Sequence, residues 1–96
     1  MKQYLIIARD GKDDGALERR KNVRPVHLAG ARKLKENNNF IIGGAMLDED
    51  GNMRGSIMIV QFENQEKFQQ WYDNEPYITG GVWKEIEVKP FRVAEV

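Results

Sequence analysis

Short apolar runs alternate with polar, turn-forming segments along this chain. Tyr4-Leu5-Ile6-Ile7-Ala8 is rich in strand formers and closes at Asp10-Gly11, which predicts a first strand. Phe40 to Leu47 predicts a second, its Gly43-Gly44 pair permitting a bulge or the close approach of another group. Asp48-Glu49-Asp50-Gly51-Asn52 has the composition of a hairpin turn, and Ser56 to Phe62 reads as the third strand. Val82 to about Val88 is the fourth, setting Val82, Ile86 and Val88 against Glu85, Glu87 and Lys89. Between strands, Ala16 to Lys21 is helix-prone, and Pro25 is expected to break or restart that helix. The main helix then runs from about Pro25 to Glu36 and stops in Asn37-Asn38-Asn39. Asn64 reads as the N-cap of a helix carrying Phe68, Trp71 and Tyr72 on one side, followed by bends at Glu75-Pro76-Tyr77 and Gly80-Gly81.

The order β-α-β-β-α-β fits an α+β, ferredoxin-like sandwich with the first and third strands central. Those two strands are apolar on both faces: Leu5 and Ile7 oppose Tyr4, Ile6 and Ala8, and Ile57 and Ile59 oppose Met58, Val60 and Phe62. Two helices cover one face only, so the other needs a second cover. A second copy of the same sheet supplies it, giving a homodimer of the dimeric α/β-barrel type.

Composition narrows the function. Ninety-six residues make a single domain, 1–96, short enough to profit from the extra core of a dimer. Fifteen basic and fifteen acidic residues cancel, which gives no global attraction to nucleic acid or an acidic membrane. Without cysteine there are no disulfides, thiolate nucleophiles or sulfur-ligated metals, and one histidine is a poor start for a zinc site. No phosphate-binding glycine loop is present, so neither metal nor cofactor is expected. The first apolar run is too short for a secretory signal and nothing approaches a membrane span, which points to a soluble cytoplasmic protein.

His27 is the residue with chemistry to offer, since imidazole trades protons near neutrality. On a continuous helix Val23, Arg24, His27, Ala31 and Leu34 share one stripe, which turns His27 towards the sheet near the helix N-terminus. That position disfavours a histidinium. Downstream, Asp73-Asn74-Glu75-Pro76-Tyr77 brings two carboxylates, either of which would fix the imidazole tautomer. The competing reading is a core histidine satisfied by a backbone carbonyl.

Arg24-Pro25-Val26-His27-Leu28, Gly43-Gly44-Ala45-Met46, Gly55-Ser56, Trp71, Glu75-Pro76-Tyr77 and Val88-Lys89-Pro90-Phe91 occur in this order over nearly the whole chain. In this the chain resembles the YCII-related family of small dimeric α/β proteins. The resemblance implies a ferredoxin-like dimer with a histidine–aspartate dyad in a pocket near the sheet. It also implies kinship of fold with muconolactone-isomerase-like, cofactor-free proteins that act on small ring compounds. His27 matches the family's histidine, and Glu75 stands where the family usually has aspartate, one methylene longer; Asp73 is the second candidate.

Around this pair, Ser56 is a candidate donor to a substrate oxygen, and Arg9 and Arg24 are candidate clamps for a substrate carboxylate. Gly44 is a candidate for close approach of a ligand to the backbone. Each has a plainer alternative: a strand-start hydroxyl meeting backbone or water, surface ion pairs, a β-bulge. Trp71, Tyr77 and Trp83 are expected in the core or dimer interface, and Arg19-Arg20-Lys21 on a solvated helix face. Two functions follow. One is a cofactor-independent lyase or isomerase using His27 and Glu75 on a small organic molecule. The other is a non-catalytic dimeric module that binds a small ligand or a partner protein.

Overall fold

The computed structural model describes residues 1–96. Its elements are β1 (Lys2–Asp10), α1 (Ala16–Glu36), β2 (Phe40–Leu47), β3 (Met53–Phe62), α2 (Gln65–Asp73), α3 (Pro76–Thr79) and β4 (Trp83–Phe91). The four strands form one antiparallel sheet in the order β2-β3-β1-β4. This is the α+β, ferredoxin-like arrangement, with β1 and β3 central as their two-sided apolarity requires. No helix is long and apolar enough to cross a membrane.

Strand register assigns the two faces. Ile6 pairs with Met58 and Tyr4 with Val60 on the helix-covered side, where Ile6, Ala8, Met58, Val60 and Phe62 are buried. Leu5 pairs with Ile59 and Ile7 with Ile57 on the opposite side, which also carries Ile42, opposite Ile59, and leaves Ile42 and Ile57 exposed. Asn64 caps α2 by accepting the Lys67 N–H at 2.9 Å, and Phe68 then enters the core against Tyr4 and Phe62. In the β2–β3 turn Gly51 takes φ 82°, a conformation costly for other residues.

The first helix differs from expectation. Pro25 neither breaks nor restarts it: α1 is continuous for 21 residues. Proline removes a backbone donor and crowds the carbonyl four residues earlier, at roughly 3 kcal/mol in a helix interior. Both Pro25 and Lys21 are exposed, so water can satisfy the carbonyl left without a partner, and the opposite face buries Arg20, His27 and Leu34. His27 therefore sits mid-helix, and the unfavourable N-terminal dipole no longer bears on it. Glu75-Pro76-Tyr77, expected as a bend, opens the short helix α3, with Pro76 at its first position.

Candidate active site

His27 and Glu75 meet across the helical layer. Both are buried, and His27 Nδ1 is hydrogen-bonded to Glu75 Oε1. Glu75 is held from behind as the N-cap of α3. The residue before proline favours extended backbone, and Glu75 adopts it (φ −64°, ψ 122°), turning its carboxylate back to accept the Tyr77 N–H at 3.1 Å on the same Oε1. A carboxylate oxygen accepts, so Nδ1 carries the proton and the neutral ring has its lone pair on Nε2. The Tyr77 ring stacks on the imidazole at 3.9 Å and 13°, and the Trp83 indole meets it edge-on at 6.1 Å.

A second buried pair lies two helical turns away. Arg20 Nη1 donates to both Asp10 carboxylate oxygens at 3.0 and 3.1 Å, and Nη2 donates to Ser56 Oγ at 2.8 Å. Trp83 Nε1 donates to the same Oγ at 3.2 Å. A serine hydroxyl has two lone pairs and one proton, and both lone pairs are taken by these donors. Ser56 can therefore only donate, and the cationic guanidinium behind it strengthens that donation.

Between α1 and the β2–β3 strands lies a cavity of about 100 Å³. Arg20, Arg24, His27, Ser56 and Tyr77 give it polar groups, and Phe40 and Met58 give it apolar walls. Gly43 makes room on the β2 side for the Phe40 ring of that wall, since a Cβ there would come within 3.1 Å of it. The Tyr77 hydroxyl is buried without a hydrogen-bond partner, and burial pushes its pKa above the usual 10 against the opposing pull of Arg20 and Arg24. The Arg20 guanidinium lies 4.7 Å from the Tyr77 ring centroid.

Of the residues singled out from sequence, His27, Arg24, Ser56 and Gly44 line this cavity and Glu75 supports it. Arg9 does not join them. It sits between the inward-facing Ala8 and Asp10, so strand alternation turns it away, to a surface groove with Asp48 and Arg54. Asp73 does not reach His27; it is exposed and accepts the Gln69 side-chain amide at 2.8 Å. Asp10, Arg20, Tyr77 and Trp83 were missed as site residues. Arg20 in particular is 3% exposed and not on a solvated face. It stands seven residues before His27, on the same face once the helix is continuous, and Asp10 shares the strand parity of Ile6 and Ala8.

The YCII-related domain matches residues 2–92. Protein YciI of Escherichia coli is 38% identical over 95 residues, covering 93% of this chain and 95% of that protein. An uncharacterized protein of Haemophilus influenzae is 36% identical over the same length. Among solved structures, 5-chloro-2-hydroxyhydroquinone dehydrochlorinase of Burkholderia phenoliruptrix, in complex with 2,5-dihydroxybenzoquinone, superposes with TM-score 0.80 at 25% identity. That match covers 96% of this chain and 95% of the dehydrochlorinase. A dimeric ferredoxin-like protein from Jannaschia shares the fold with TM-score 0.60 at 12% identity, over 97% and 100% of the two chains. This chain belongs to the YCII-related family.

Proposed function

We propose that the cavity is the active site of a cofactor-independent enzyme that moves protons on a small oxygenated ring compound, in the manner of a lyase or isomerase. The observation that carries this reading is the placement of a base and a committed donor on one cavity: His27, its Nδ1 tied to Glu75, and Ser56, its lone pairs tied to Arg20 and Trp83. In this reading Nε2 takes a proton from a ring hydroxyl or an acidic ring carbon. The electron pair left behind moves into the ring system, and negative charge gathers on a ring oxygen beside the Ser56 hydroxyl. Glu75 stabilises the imidazolium. In an isomerisation the proton returns to another carbon; in an elimination the leaving group departs with the electron pair of its own bond. The dehydrochlorinase, which shares the fold at 25% identity, supports a ring substrate of this kind.

The test is turnover of hydroxylated and chlorinated hydroquinones and related lactones. His27→Gln is expected to lose about 10²–10⁴-fold in rate while remaining folded. Undiminished turnover in that variant contradicts the assignment. Ligand binding by wild type without any turnover favours a binding module.

The enzyme acts as a homodimer in this proposal, a second copy covering the open sheet face at Leu5, Ile7, Ile42, Ile57 and Ile59. Sedimentation at micromolar concentration is expected to give twice the 11.1 kDa chain mass; a monomer contradicts it.

A further inference from the structure

A second groove adjoins the cavity, and its charge is one-sided. Lys21, Arg24 and Arg32 line it around an apolar floor of Pro25, Leu28 and Met53, with no acidic residue. Arg24, Leu28 and Met53 line both cavity and groove, so the two spaces adjoin across these three side chains. Helical geometry explains the junction. At about 100° per residue, Arg20, His27 and Ala31 fall on one stripe, Lys21, Pro25, Leu28 and Arg32 on the next, and Arg24 on the boundary.

The cations of this groove are not spoken for. Arg20 is neutralised by Asp10, and Arg19 by Asp13 at 2.7 Å, but Lys21, Arg24 and Arg32 make no ion pair or side-chain hydrogen bond. Sequence removes the usual screening, since no aspartate or glutamate occurs between Glu18 and Glu36. A protein with no net charge thus concentrates unpaired positive charge at the mouth of one cavity, where it raises the local concentration of anions.

We propose that the groove is an anion subsite, and that the substrate carries a carboxylate on a short arm projecting from the ring held in the cavity. The proposal rests on the ring-binding reading of that cavity and names the class of its substrate. Arg24 stands three residues before His27, roughly 4.5 Å along the helix axis. An arm of two or three bonds spans that interval, its methylenes lying on Leu28 and Met53. The Arg24 guanidinium presents a fork that matches a carboxylate, and Lys21 and Arg32 contribute field more than direct contact.

The test compares 3-(4-hydroxyphenyl)propionate with its neutral primary amide and with 4-hydroxyphenethyl phosphate, by calorimetric titration of the tag-free chain. Wild type is expected to bind the carboxylate at least tenfold more tightly than the amide, with the advantage shrinking as salt rises. In Arg24→Gln the advantage falls to within twofold, and in Lys21→Gln/Arg32→Gln it falls several-fold. All three side chains are exposed, so the variants fold, which circular dichroism checks. Equal affinity for carboxylate and amide, or an advantage untouched by Arg24→Gln, overturns the proposal. Tighter binding of the phosphate than of the carboxylate overturns the choice of carboxylate. If wild type binds none of the three, the ring-binding reading and the subsite fall together. If it discriminates without turning any ring acid over, the subsite stands and the catalytic reading fails.

Discussion

Two carboxylates are buried beneath α1, and they are paired in opposite ways. Asp10 faces Arg20, whose guanidinium cannot give up its proton, so the cation of that pair is fixed. Glu75 faces His27, whose ring exists in two protonation states, so that pair is a hydrogen bond from a neutral ring to a carboxylate or an ion pair according to whether Nε2 has taken up a proton. The first is a fixed charge that sets the Ser56 donor; the second is a group able to change charge during a reaction. A site that moves protons needs both, and these lie seven residues apart on one helical face.

Removing one side of the fixed pair should show the contrast most strongly. Asp10→Asn leaves the Arg20 charge buried and uncompensated, and a loss of about 3–5 kcal/mol is expected in denaturant unfolding. Glu75→Gln should be milder for stability, about 0.5–1.5 kcal/mol, because the amide oxygen still accepts from Nδ1 and the imidazole can stay neutral. Its cost should instead appear in turnover, through an unstabilised imidazolium. Equal stability losses in the two variants would erase the distinction drawn between the pairs.

Tyr77 packs against both pairs and gives the next smaller effect. Its buried hydroxyl has no partner, so Tyr77→Phe should raise stability by about 1 kcal/mol near neutral pH while keeping the stack on His27. The smallest effect is its pH dependence. Burial holds the folded phenol protonated above its usual value of 10. Past that pH the unfolded chain binds fewer protons than the folded one, so stability falls as pH rises, and below it this group contributes no slope. Denaturant midpoints measured from pH 8 to 11 should therefore fall more steeply in wild type than in Tyr77→Phe.

The fold was legible because hydrophobic alternation is local. Leu5 and Ile7 against Ile6 and Ala8 identify a central strand without knowledge of its neighbours, and Asn64 announces a helix start by its own side chain. The dyad was legible in part: His27 from its stripe, Glu75 from family resemblance and not from spacing. The fixed pair was not read, because Arg20 stands in the cationic run Arg19-Arg20-Lys21, which as a block reads as a solvated face. The His27 stripe, followed back one turn beyond Val23 and Arg24, reaches Arg20 and would have separated it from its two neighbours. Exposure of Pro25 and Lys21 is what lets the helix continue, and exposure is a property of the assembled fold. Arg9 illustrates the converse: its residue type suits anion binding, but strand parity directs it away from the cavity.

The most direct measurement is the imidazole tautomer, read from long-range proton–nitrogen NMR correlations of the nitrogen-15-labelled chain, whose single histidine needs no assignment by mutation. The neutral ring of wild type is expected to carry its hydrogen on Nδ1 and its lone pair on Nε2, with that preference weakened in Glu75→Gln. A neutral ring with hydrogen on Nε2, or a tautomer indifferent to Glu75→Gln, would contradict the dyad and leave His27 as a packed core residue.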